Sequence, residues 1–132
     1  MQDKTKPFCL LFTGHRIDAP GREQPRFPAS AEWRAKRIIR QAIEKILARL
    51  DGIPLTGIAG GASGGDILFH ELCRESKVPT TVYLALPAED YAARSVDDAG
   101  PEWTRRFWQL LERLPAKVLA DNEPDAFAKL GV

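Results

Sequence analysis

Cysteine is scarce in this chain: Cys9 and Cys73 are the only two, one in an apolar strand-like run and the other in a helix-like run. With no CxxC and no Cys/His spacing, neither a disulfide framework nor a zinc site can be read, and both are expected as small buried hydrophobes. No apolar run approaches the roughly 18 residues that span a bilayer. The apolar FCLLF after MQDKTKP is only five residues long, too short for a secretory signal, so a cytoplasmic protein without membrane contact is the expectation. A net charge of +1 argues against a dedicated nucleic-acid binder. Repeats and low-complexity tracts are absent too, as are the Walker A lysine and the G-x-G-x-x-G dinucleotide motif.

What is present suits one soluble domain. The chain's 132 residues are enough to bury a core and too few for two ordinary domains, and 44% hydrophobic with 28% charged residues is a globular composition. Charge is unevenly spread. Arg34, Lys36, Arg37, Arg40, Lys45 and Arg49 face one acid, Glu44, whereas the stretch from Glu89 to Glu102 holds five acids against Arg94. The basic cluster reads either as a solvated helix face or as a surface for a polyanion.

Along the chain, FCLLFT (8–13) predicts a first strand buried on both faces. GHRIDAPGREQPRFPAS (14–30), with three prolines and two glycines, predicts a long surface loop, and long ordered loops tend to be functional. Ser30 can cap a helix from Ala31 to about Leu50, closed by Gly52. PLTGIA (54–59) gives a second strand, and a helix from Gly65 to about Ser76 follows its glycine loop. PTTVYLAL (79–86) is the third strand, stopped by Pro87, and AEDYAARSVDDAG (88–100) reads as a loop. A third helix spans Pro101–Leu114, with Trp103, Phe107 and Leu110 on one face and Trp108 off it. AKVLA (116–120) is a fourth strand, and the tail DNEPDAFAKLGV has room for one or two helical turns.

This alternation predicts an α/β fold: a three-layer, Rossmann-like open parallel sheet of about four strands with helices on both faces. The end of the sheet lacks cover. Either a partner subunit supplies it, making a homo-oligomer, or residues 1–132 are a shortened version of a longer domain.

In such sheets ligands bind at the carboxyl ends of the strands, where strand order reverses. Three connections lie there. Gly60, Gly61, Gly64 and Gly65 would let backbone N–H groups approach an anion at a helix N-terminus, with Ser63 among them. Ser63 and Asp66 equally have the S-x-x-D spacing of a capping box, which would need no ligand. Gly14, His15 and Arg16 offer a turn, a candidate base and a guanidinium suited to phosphate. Glu89 lies about 24 residues past Gly65, where a ribose-binding acid would sit, and Arg94 and Ser95 can meet a phosphate.

Taken together, TGHR, TGIAGGASGGDILFHE and LALPAEDYAARSV resemble the SLOG group of the LOG/DprA Rossmann-like superfamily over roughly residues 8 to 120. The most specific part is G-G-x-x-G-G-D-x-x-x-x-E. The resemblance implies a bacterial nucleotide sensor or nucleotide-processing unit, with no obligatory cofactor or metal and a nucleotide or nucleotide-sugar phosphate as ligand. Glycines 60, 61, 64 and 65 with Ser63 would hold the phosphate, Arg16 and Arg94 would add charge, and Asp66 would meet a hydroxyl. Two alternatives follow from the same group. One is an N-glycosidase similar to the lonely-guy phosphoribohydrolases, acting on a nucleoside 5′-monophosphate with Asp66 or Glu71 steadying the oxocarbenium-like centre. The other is a DprA-like binder of single-stranded nucleic acid. The lonely-guy pattern P-G-G-x-G-T-x-x-E and its later catalytic Glu are not matched here.

Overall fold

A computed structural model describes residues 6–119 of the chain. Residues alternate in environment along two strands, β2 (Leu55–Ala59) and β3 (Thr80–Leu84): Leu55, Gly57, Ala59, Thr80, Val82 and Leu84 are buried, while Thr56, Ile58, Thr81 and Tyr83 are half-buried. Strand β1 (Phe8–Leu11) pairs with β2, and β3 with β4 (Ala116–Val118). All pairings are parallel and the order is β1-β2-β3-β4, an open α/β sheet of four strands as expected.

Four helices complete the unit: α1 (Glu32–Leu50), α2 (Gly65–Glu75), α3 (Ala88–Ser95) and α4 (Pro101–Arg113). The helices flank the sheet, in keeping with the expected Rossmann-like open fold. With sequential strand order, crossovers of one hand all return on the same side. Ile43 of α1 packs with Leu55 and Ala59, Phe69 of α2 lies over Gly57, and Phe107 of α4 joins Val82 and Leu84, so among the described residues these three helices share one face of the sheet. The central helix α2 lies between α1 and α4 and buries Ile67, Leu68, Phe69, His70, Leu72 and Cys73. At roughly 1.5–3 kcal/mol per buried large apolar side chain, it is the main anchor of the fold.

Other sequence expectations change with this layout. β1 is an edge strand on a half-covered sheet, so Phe8 and Leu11 are 46% and 66% exposed and Cys9 is exposed rather than buried; an apolar run alone does not reveal how many sides are covered. Cys73 is buried as expected, which pushes its thiol up to about 12. Ser30 falls in a short 3-10 turn, Ala29–Ala31, and α1 starts without a side-chain cap. The stretch read as a loop after Pro87 holds α3, with Glu89 and Asp90 in its first turn and Arg94 in its last, a charge order that suits the helix dipole. Gly100, at φ +117°, separates it from α4. Trp108 is 37% exposed, its ring edge-on to Phe107. The tail expected to hold a helical turn or two lies outside the described residues.

Candidate functional site

The loops after β1 and β2 are joined to each other. Ile17 N–H donates to the Ser63 carbonyl and Gly65 N–H to the His15 carbonyl, each at 3.0 Å, with Arg16 and Gly64 in an antiparallel bridge. Gly64, at φ +106°, allows this contact: a Cβ there would lie 2.3 Å from the Ile17 nitrogen and 2.8 Å from the His15 carbonyl oxygen. A Cβ on Gly65 would press on Gly14 Cα at 3.2 Å, and one on Gly61 would meet Phe107 and Val82 at 3.1 Å. The glycines therefore serve close packing between two loops and the core.

Four N–H groups of this loop are engaged as well. Gly61 donates to the Tyr91 hydroxyl (3.0 Å), Ala62 to Asp66 Oδ2 (3.4 Å), Ser63 to the Ser95 carbonyl (3.0 Å) and Gly65 to His15. Of the phosphate cradle expected on Gly60, Gly61, Ser63, Gly64 and Gly65, the N–H groups of Gly61, Ser63 and Gly65 thus have internal partners, whereas those of Gly60 and Gly64 have none among the described residues. The capping box is not formed either, because Gly64 and not Ser63 is the N-cap of α2, and no side chain caps that end. Ser63 is fully buried, and its hydroxyl has no hydrogen-bond partner among the described residues.

Asp66 faces open space. It lines a cavity of about 240 Å³ with Leu11, Thr13, Gly14, Ile58, Gly60 and Tyr83, at the carboxyl edge of β1 and β2. Burial pushes its carboxyl up to about 6, against the pull of hydrogen bonds from the Ala62 and Gly14 backbones. Tyr91 sits beside it, its phenol raised by burial and by the Asp66 charge, and lowered by Gly61's hydrogen bond and by Arg16. Asp66, Tyr91 and Arg16 therefore share one electrostatic neighbourhood.

Sequence reading missed Tyr91 and His70. The His70 ring is fully buried and lies 2.9 Å from the Gly60 carbonyl through Nε2 and 2.7 Å from Thr80 Oγ1 through Nδ1. A carbonyl can only accept, so we assign the proton to Nε2, leaving Nδ1 to accept from the Thr80 hydroxyl. Burial lowers the imidazole's pKa, which keeps it neutral in that role. His70 stands four residues after Asp66 on α2, the spacing of helix neighbours, and that was the signal available in the sequence.

The remaining candidates disperse. Glu71 accepts from Arg106 Nε at 3.0 Å and Nη2 at 2.5 Å, in a groove among α1, α2 and α4 where Arg106 also meets Glu32 and stacks 4.0 Å from the Trp103 ring centre. Five residues along a helix turn the side chain by about 140° from Asp66, so Glu71 does not join it. Arg16 pairs with Asp98 and, with His15, Arg22 and Arg26, lines a second cavity of about 360 Å³. Glu89 and Arg94 are exposed on α3 without ion pairs among the described residues, and Ser95 takes part through its carbonyl. Among the described residues no group of three or more His, Cys, Asp or Glu side chains is arranged to hold a metal, and no helix is long and apolar enough to cross a membrane.

No protein-family model, no curated protein and no solved structure matches the chain.

Proposed function

We propose that the carboxyl-edge crevice binds a nucleotide or nucleotide-derived phosphate, as a SLOG-type sensor module would. The observation that carries this reading is Asp66: a half-buried carboxylate, held by two backbone N–H groups, lining a cavity with apolar walls and an arginine nearby. In this reading Asp66 accepts a sugar hydroxyl, Ile58 and Tyr83 meet the base, and Arg16 takes the phosphate in place of the closed glycine loop. Arg94 and the engaged N–H groups of Gly61 and Gly65 take no part in the phosphate contact.

The N-glycosidase alternative keeps one specific support. A carboxyl group near 6 holds a proton at mildly acidic pH and can serve as a general acid to a departing base. Without Glu71 beside it, only one carboxylate is left to do the chemistry. Titration calorimetry against nucleoside mono- and diphosphates of all four bases, NAD and ADP-ribose tests the sensor reading, with chromatography of each mixture for released base. Saturable binding without release supports a sensor, and release abolished in Asp66→Asn supports the enzyme. Absence of any binding or release removes both.

We also propose a homo-oligomer, on the ground of the sheet face that no helix of the described residues covers, where Leu11 and Leu119 are 66% and 59% exposed. Light scattering at about ten times a micromolar dissociation constant tests it; a monomer mass there contradicts it.

A further inference from the structure

The loop from Gly14 to Pro28 is far more ordered than its proline and glycine content suggests. Ile17 and Phe27 anchor its two ends in the core at 4% and 8% exposure. Between them Asp18 closes the loop: its Oδ2 accepts from Arg26 N–H (3.0 Å) and Phe27 N–H (3.1 Å), and its own N–H donates to the Phe27 carbonyl (2.7 Å). Pro20-Gly21 makes the turn in the middle, with Arg22 N–H bonded back to the Ala19 carbonyl and Gly21 at φ +83°, the Pro-Gly order of a type II turn.

The result is a fixed frame that holds Arg16, Arg22 and Arg26, with His15, around one cavity of about 360 Å³. Among the described residues, three guanidinium groups meet one acidic side chain on its wall, Asp98, which pairs with Arg16. The nearest other carboxylate, Asp18, is buried beneath, with Arg22 3.5 Å away. Arg26 has no ion-pair partner among the described residues. Like charges gathered in one concave space repel one another, and an anionic guest relieves that repulsion.

We infer that this cavity holds the distal phosphate of a nucleotide, so that the ligand class is a nucleoside diphosphate or a longer polyphosphate rather than a monophosphate. The inference rests on the proposed seat of the sugar at Asp66. Gly14 lines the Asp66 cavity while His15 and Arg16 line the basic one, so the two cavities border successive residues of one loop, where the inferred phosphate chain passes from one to the other. Arg16, whose charge is felt at Tyr91 beside Asp66, stands between the two and exchanges Asp98 for phosphate when the ligand arrives. Guanidinium groups suit this task because their fixed fork pairs two phosphate oxygens at once.

The test is calorimetric titration of the whole chain with nucleoside mono- and diphosphates of the same base and with inorganic pyrophosphate. The wild-type chain, Arg26→Ala, Arg22→Ala/Arg26→Ala and Asp98→Asn are compared, each first shown to melt cooperatively. The expected result is at least tenfold tighter binding of diphosphate than monophosphate. That preference falls to near unity in the double variant and at least threefold in Arg26→Ala, and Asp98→Asn strengthens diphosphate binding severalfold. Arg26→Ala keeps the test valid if loss of Arg22 unsettles the loop. Equal affinity for mono- and diphosphate, unchanged by the arginine substitutions, overturns the inference and leaves the Asp66 reading standing. Pyrophosphate bound through Arg26 with no nucleotide bound overturns the Asp66 reading, and with it the assignment of the cavity to a nucleotide's distal phosphate.

Discussion

Asp66 carries two opposed demands. A buried carboxylate lowers stability when charged, and a ligand hydroxyl gives that charge a use. Its folded-state value near 6 lies above the ordinary 3.8, so the folded chain holds this proton more tightly than the unfolded chain. Asp66 therefore adds stability as pH falls from about 6 towards 4, and above 6 its charge weighs fully against folding. A shift of that size corresponds to roughly 3 kcal/mol, and partial exposure reduces it to about 1–2 kcal/mol. Asp66→Asn should thus be more stable than the wild type by about that amount at pH 8 and nearly equal to it at pH 4, as read by urea denaturation. A variant that is less stable at pH 8 would mean that the carboxylate is a structural clamp and not a strained ligand contact.

At the scale of elements, the joint between the two loops and the clamp between the helices make separate predictions. Gly64→Ala forces a Cβ into the Ile17 and His15 backbone, and a loss of about 3 kcal/mol or more is expected. Gly21→Ala, also at positive φ but with nothing within 4 Å, should cost about 1 kcal/mol. Urea titrations that rank the two equally would argue against the close approach of the loops. Glu71→Gln weakens the pair with Arg106, whose side chain is only 11% exposed, and should lower stability by about 1–3 kcal/mol with nucleotide affinity unchanged. A lost affinity without lost stability would return Glu71 to the site.

Element positions were largely legible because apolar periodicity marks α1, α2 and α4 and β-branched runs mark β2 and β3. α3 was not, since the Ser, Asp and Gly residues after it look like a loop and hide the helix-forming AEDYAAR. The role of the glycine loop was also hidden. A glycine that admits a ligand and a glycine that admits another loop leave the same letter in the sequence, and only the partners of Gly64 and Gly65 tell them apart. Asp66 was legible as a site residue from its place after the loop, whereas Tyr91 joins it only through the fold.

For the whole molecule, sequential strand order sends three helices to one face and leaves the other to Leu11, Ile58, Tyr83 and Lys117. The same layout puts two titrating groups of opposite sign near one crevice. His70 has a folded-state pKa below the ordinary 6.5, so its contribution to stability is present above that value and lost as pH falls below it. Asp66 acts in the reverse sense between about 6 and 4. Between pH 7 and 5 the melting temperature of Asp66→Asn should fall relative to the wild type as pH decreases, and that of His70→Gln should rise relative to it; parallel profiles for all three would refute this coupling.

The claim on which the rest depends is that Asp66 touches the ligand. Calorimetric titration of the wild-type chain and Asp66→Asn with the tightest-binding nucleotide, at pH 7.5 and with both proteins shown to be folded, tests it most directly. A sugar hydroxyl held by this carboxylate requires saturable one-to-one binding to the wild type, weakened at least tenfold in Asp66→Asn. Equal affinity in the two proteins, or no nucleotide bound by the wild type, would contradict it.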